Sequence, residues 1–130
     1  NNGFKLTGDS EEMLPYIPLS SIQKEFKLIE SSLGDLGIYS EKAEWVDVIK
    51  SAQEKRYIIC PPEVGLALRL EYKDQANNDW LTIGMELIQG NYFRVANAYG
   101  HIVLDGDNRN PKSRDRHRNT PGTRLIFGIE

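Results

Sequence analysis

A chain of 130 residues with 39% hydrophobic and 27% charged residues has the composition of an ordinary folded domain and excludes wholesale disorder. Its longest apolar run is a few residues, so no helix of the sequence spans a bilayer. Net charge is −3, but residues 1–108 carry 10 Lys and Arg against 17 Asp and Glu, whereas residues 109–130 carry 6 against 2. An acidic body of −7 thus ends in a basic strip of +4.

Residues 1–19 read as an irregular N-terminal arm. They hold Gly3, Gly8, Pro15 and Pro18 around the polar stretch Asp9 to Glu12. The first residue is Asn1 rather than methionine, which we read as a processed product or a piece of a longer protein, and no signal peptide is visible. A single domain is expected over 20–130.

Ser20 with Gln23 three residues on fits a capping box. Ile22, Phe26, Ile29 and Leu33 then follow at helical spacing, with Gly34 or Gly37 as the stop. Ser40 opens a second helix whose apolar stripe is Trp45, Val48, Ile49 and Ala52. Its acids lie toward the N-terminal end and its bases toward the C-terminal end, which opposes the helix dipole.

Pro61-Pro62 breaks the chain, and beyond it the period becomes two. Leu66, Leu68, Leu70 and Tyr72 alternate with Ala67, Arg69, Glu71 and Lys73. Leu81, Ile83, Met85 and Leu87 alternate again, with turns at Asn77–Asp79 and Gln89–Asn91. Phe93 and Val95, then His101–Leu104 and Arg124–Glu130, supply the remaining strands. The expected fold is α+β: two N-terminal amphipathic helices packed on one face of a mostly antiparallel sheet of four to five strands.

The lone cysteine, Cys60, lies in the apolar run Tyr57–Cys60 and reads as a small buried hydrophobe, with a slight preference for a reducing compartment. No dinucleotide fingerprint, P-loop, zinc-protease motif or nucleophile elbow is present. Asp105–Asn110 begins like a calcium loop but puts Arg109 at the fifth position and no Glu at the twelfth. No metal site and no cofactor are expected.

Two features remain. The stretch 105–122 reads as a long basic loop bearing Arg109, Lys112, Arg114, Arg116, His117 and Arg118, with Asp115 the one opposing charge from 109 to 118. Closely spaced guanidinium groups suit carboxylate and phosphate recognition because each donates in a planar fork. The polar face of the sheet is the second feature: the alternation points Arg69, Glu71, Trp80, Thr82, Glu86, Arg94, His101 and Arg124 outward. The leading expectation is a non-catalytic interaction module that contacts an anionic partner, most readily a protein, through the basic loop. Nucleic acid is the second partner, and no membrane contact is expected. Beside it stands a small RNA-binding or RNA-cleaving domain of ribonuclease or toxin type, with Glu71 or Glu86, Arg69, Arg94 and His101 as acid, base and charge stabilisers. An inhibitor or immunity-type protein is the third reading, its acidic helical body meeting a basic partner.

Overall fold

A computed structural model describes residues 4–17, 27–39, 44–98, 100–108 and 122–129. Its centre is a six-stranded mixed sheet in the order β1-β5-β4-β3-β6-β2. The strands are β1 (Lys5–Gly8), β2 (Lys27–Ser32), β3 (Trp80–Ile83), β4 (Asn91–Ala98), β5 (His101–Asn108) and β6 (Arg124–Ile129). Three helices occur among the described residues: α1 (Ser10–Met13), α2 (Trp45–Glu54) and α3 (Glu63–Glu71). The α+β content is as expected, but the sheet has more strands and two of its pairings, β1 with β5 and β3 with β6, are parallel.

The N-terminal stretch is not an irregular arm over its described part. β1 adds to the sheet beside β5, and the chain then folds back through α1 and a 3-10 turn at Leu14–Tyr16. Gly8, at φ +57°, is required here: a Cβ would lie 2.3 Å from the Gly106 carbonyl oxygen. The Ser10 hydroxyl donates to the Thr7 carbonyl at 2.8 Å, and the Asp9 amide donates to Gly106 at 2.9 Å.

The first expected helix is corrected over its described part. Ile29 lies in β2, opposite Phe127 of β6, and Leu33 begins the turn that follows; Ser20, Ile22, Gln23 and Phe26 lie outside the described residues. Spacings of four, three and four fit a helix in isolation, but pairing with the apolar β6 supplies the burial instead, and tertiary context overrides a short periodic signal. The second helix forms with the stripe expected of it: Trp45, Val48, Ile49 and Ala52 are all buried. Its described cap is Glu44, whose backbone amide bonds Asp47 Oδ2 at 3.0 Å in a reciprocal box; Ser40 lies outside the described residues.

The expected strand at 66–72 is a helix. Glu63-Val-Gly-Leu-Ala-Leu-Arg-Leu-Glu71 contains one β-branched residue and is otherwise rich in good helix formers, with Pro62 at its N-cap. Its leucines alternate, but Gly65 and Arg69 also stand four apart, and both are buried. Gly65 lets α3 sit on β4, since a Cβ there would lie 3.0 Å from that of Phe93.

Both faces of the sheet are covered, which corrects the expectation of one apolar and one polar face. On one side α3 packs over Phe93, and Met13 of α1 lies against Gly106. On the other, Trp45 stacks on Tyr92 with ring centroids 4.8 Å apart, and Tyr57 stacks on Phe127 at 5.6 Å. Strand β4 therefore reads as buried at six of its eight positions. Its entry is a two-residue turn, with Gln89 at φ 49° and Gly90 at φ 85° closed by reciprocal Ile88–Asn91 amide bonds of 2.8 and 2.9 Å.

The deepest polar group is Arg69, fully buried on α3 rather than outward on a strand. Its Nη1 donates to Gln75 Oε1 at 2.7 Å, the Ala96 carbonyl at 2.8 Å and the Val103 carbonyl at 3.2 Å, and Nη2 donates to the Tyr72 carbonyl. Burial lowers its pKa from the ordinary value. Replacing Arg69 by leucine leaves these acceptors without their guanidinium and is expected to cost about 3 kcal/mol. Lysine keeps the charge but not the fork, and should recover only part of the loss. Urea unfolding of the two variants checks this; a leucine variant within about 0.5 kcal/mol of the parent, the usual span of a surface substitution, would refute the role.

Candidate functional site

The two face sets of the sheet follow from register. Tyr92 and Arg94 of β4 stand opposite Asp107 and Asp105 of β5, and Thr82 of β3 stands opposite Arg94. Thr7 of β1 stands opposite Asp105 on the other side. One row across four strands therefore carries Thr7, Asp105, Arg94 and Thr82, with Asp107, Tyr92 and Trp80 on the flanking rows.

Thr7, Asp105, Arg94, Asp107, Tyr92 and Trp80 are linked to one another. Arg94 donates through Nε to Asp105 Oδ2 at 2.9 Å, and its Nη2 lies 2.8 Å from the same oxygen. Thr7 Oγ1 donates to Asp105 Oδ1 at 2.6 Å. Tyr92 donates its phenol proton to Asp107 Oδ2 at 2.7 Å, and Arg94 Nε stands 4.0 Å from that oxygen. The Arg94 guanidinium also lies over the Trp80 ring, 4.3 Å from its centroid. Asp105 and Asp107 are both buried. Among the described residues an arginine, a phenol and a hydroxyl meet these two carboxylates and offset the cost of bringing them into a sheet face.

A second network lies at the opposite edge. Arg124 grips Glu30 in a bidentate fork, Nε to Oε2 at 2.9 Å and Nη2 to Oε1 at 2.7 Å, while its Nη1 donates to Asp79. Gln75 joins this pair to Arg69, donating to Asp79 Oδ2 at 3.0 Å and to the Val95 carbonyl at 3.0 Å. The hydrogen bond from Arg124 holds the Glu30 carboxyl below its ordinary value of 4.5, and the two acids raise the guanidinium in turn.

The four residues expected to form a catalytic set are not brought together as one sheet face. Arg69 is buried on α3, Glu71 is exposed at that helix's end, and Arg94 is tied to Asp105. His101 is exposed at the start of β5, its Nε2 3.4 Å from Lys5 Nζ. Glu86 is exposed and lies beyond the end of β3. Of the basic stretch, β5 claims residues 105–108, so the expected loop begins later than Asp105; Arg109, Lys112, Arg114, Arg116, His117 and Arg118 lie outside the described residues. The Asp105–Asp107 pair is not visible as a site in the sequence, where Asp105–Asn110 reads only as an incomplete calcium loop. Its signal was Asp-Gly-Asp alternation matching Tyr92-Phe93-Arg94 on the neighbouring strand.

Cys60 is buried, and its thiol is pushed up to about 12 by loss of solvent. It borders an apolar depression of about 310 Å³ lined by Ile58, Val64, Gly128 and Ile129, with Lys27 at its edge. Among the described residues no group of three or more His, Cys, Asp and Glu is placed to hold a metal ion, and no helix is long and apolar enough to cross a membrane. No protein-family model matches the chain, and neither the curated proteins nor the solved structures provide a match.

Two outcomes follow. The Glu30–Arg124 pair contributes stability above the ordinary glutamate range and loses it as pH falls through the lowered folded value. The stability difference between the parent and Glu30→Gln, under about 1 kcal/mol for so exposed a pair, should therefore vanish on acidification below pH 4.5; a difference that persists in acid-series urea melts would exclude the ion pair as its source. Cys60 should resist a thiol reagent in the native protein at pH 8 and react at once in denaturant, because the thiolate is the nucleophile; fast native labelling would show that the thiol is open.

Proposed function

We propose that this chain is a non-catalytic binding module that contacts an anionic partner, an acidic protein surface, through the basic residues of 105–122. The observation that carries this reading is charge segregation: the strip 109–130 holds +4 beside a body of −7. The strip is anchored at both ends, leaving β5 at Asn108 beside the Arg94 network and re-entering the sheet at Arg124, which Glu30 and Asp79 hold. Arg69, Arg94 and Arg124 each donate to acceptors within the protein. Contact with the anionic partner is assigned to the stretch that carries Arg109, Lys112, Arg114, Arg116, His117 and Arg118. Fixed ends reduce the entropy lost when such a stretch settles on a partner.

The test is a titration of the parent and of an Arg114→Gln, Arg116→Gln, Arg118→Gln triple variant against labelled polyglutamate and labelled single-stranded RNA at two salt concentrations. Polyglutamate binding should weaken roughly tenfold in the triple variant and fall with salt, since each exposed pair contributes up to about 1 kcal/mol. Equal affinities for parent and triple variant would overturn the assignment. Preference for RNA with strand cleavage would replace it by the ribonuclease-type reading.

A further inference from the structure

The start of β5, the start of β1 and the segment after α3 meet around an open depression of about 410 Å³. Lys5, Lys73 and His101 line it together with Phe4, Asn97 and Gly100, and none of the described lining residues is acidic. In a protein of net charge −3 this is unusual. Elsewhere on the sheet the basic groups Arg94 and Arg124 each meet a carboxylate. Here two basic side chains instead meet each other, with Lys5 Nζ 3.4 Å from His101 Nε2. That contact asks His101 Nε2 to accept, which leaves the ring proton on Nδ1. All three basic side chains are exposed, so their donors are free to turn toward a ligand.

We propose that this depression binds the phosphate group of a small phosphate monoester. Three donors arrive from three separate segments: Lys5 from β1, Lys73 from the segment after α3, and His101 from β5. Three converging donors match the three terminal oxygens of a monoester better than the two of a carboxylate, and charge-assisted bonds to an oxyanion are the strong ones. The anion separates Lys5 from His101 and gives each an acceptor; His101 can then donate from Nε2 through its other tautomer. The depression is larger than a bare phosphate needs, and Phe4 provides an apolar wall for the organic group of the ester. The basic stretch 109–118 follows Asn108, the end of β5 opposite His101.

The experiment is an amide-resolved NMR titration of the full chain with inorganic phosphate, phenyl phosphate and acetate at matched ionic strength. Phosphate should give saturable shifts at Lys5, Gly100, His101 and Ile102, phenyl phosphate should bind more tightly, and acetate should bind more weakly than either. The Lys5→Gln, Lys73→Gln double variant should lose roughly a hundredfold in affinity, about tenfold for each of the two charge-assisted hydrogen bonds removed. Both lysines are exposed, so the fold should survive, and the amide spectrum itself reports whether it does. His101→Gln serves as the second variant if the double variant does not fold, and should also weaken binding. The Arg114, Arg116, Arg118 triple variant should bind phosphate as the parent does. Linear shifts without saturation, equal shifts with acetate, affinity unchanged in the folded lysine variant or in His101→Gln, or loss in the arginine triple variant would each overturn the site.

Discussion

A buried guanidinium with no carboxylate in direct contact among the described residues organises this fold. Arg69 has carbonyls from α3's own C-terminal turn, from β4 and from β5 around it, and a single amide, Gln75, relays it to Asp79. A charge in that position is tolerated only if dipoles replace the water it lost. Each acceptor comes from a different part of the chain, so satisfying the guanidinium fixes where α3 lies on the sheet and where the segment 72–79 runs. Gly65, one turn earlier, allows the approach by offering Phe93 no side chain.

The relay continues outward. Asp79 takes a hydrogen bond from Gln75 and an ion pair from Arg124, and Arg124 closes on Glu30 of the edge strand β2. One connected polar system therefore runs from beneath α3 to the far edge of the sheet, with a buried end and an exposed end. Its energetic weight lies at the buried end, where an unmet group costs most; the exposed fork of Glu30 adds register more than stability. A separate system, Thr7–Asp105–Arg94–Trp80 with Tyr92–Asp107, fastens β1 to the centre of the sheet from the other face. It also holds the end of β5 from which the basic stretch departs, so the recognition assigned to that stretch starts from a rigid base.

The candidate surfaces were unequally legible in the sequence. The basic stretch is visible as plain charge density, needing no fold to be seen. Lys5, Lys73 and His101 are far apart along the chain, and only parallel pairing of β1 with β5 puts the first beside the third. Asp105 and Asp107 were in view as acids, but their role depended on a strand continuing through them. The leucine-rich alternation around Arg69 fits a strand and would turn Arg69 outward; in the helix that forms, the same residue points into the core.

By itself the sequence determined the α+β class, the second helix with its buried stripe, the Gln89-Gly90 turn and the buried state of Cys60. These rest on local physics: a 3.6-residue stripe, a glycine free to take positive φ, a thiol in an apolar run. Tertiary structure decided the rest. Whether 27–32 pairs as a strand, whether 63–71 coils as a helix and whether the sheet has one wet face or none depend on which partner each segment finds, and that choice is made by burial across the whole chain. A polar residue's role follows the same rule: Arg69 and Arg94 are structural, and His101 is open to solvent, because of what lies across from them in space.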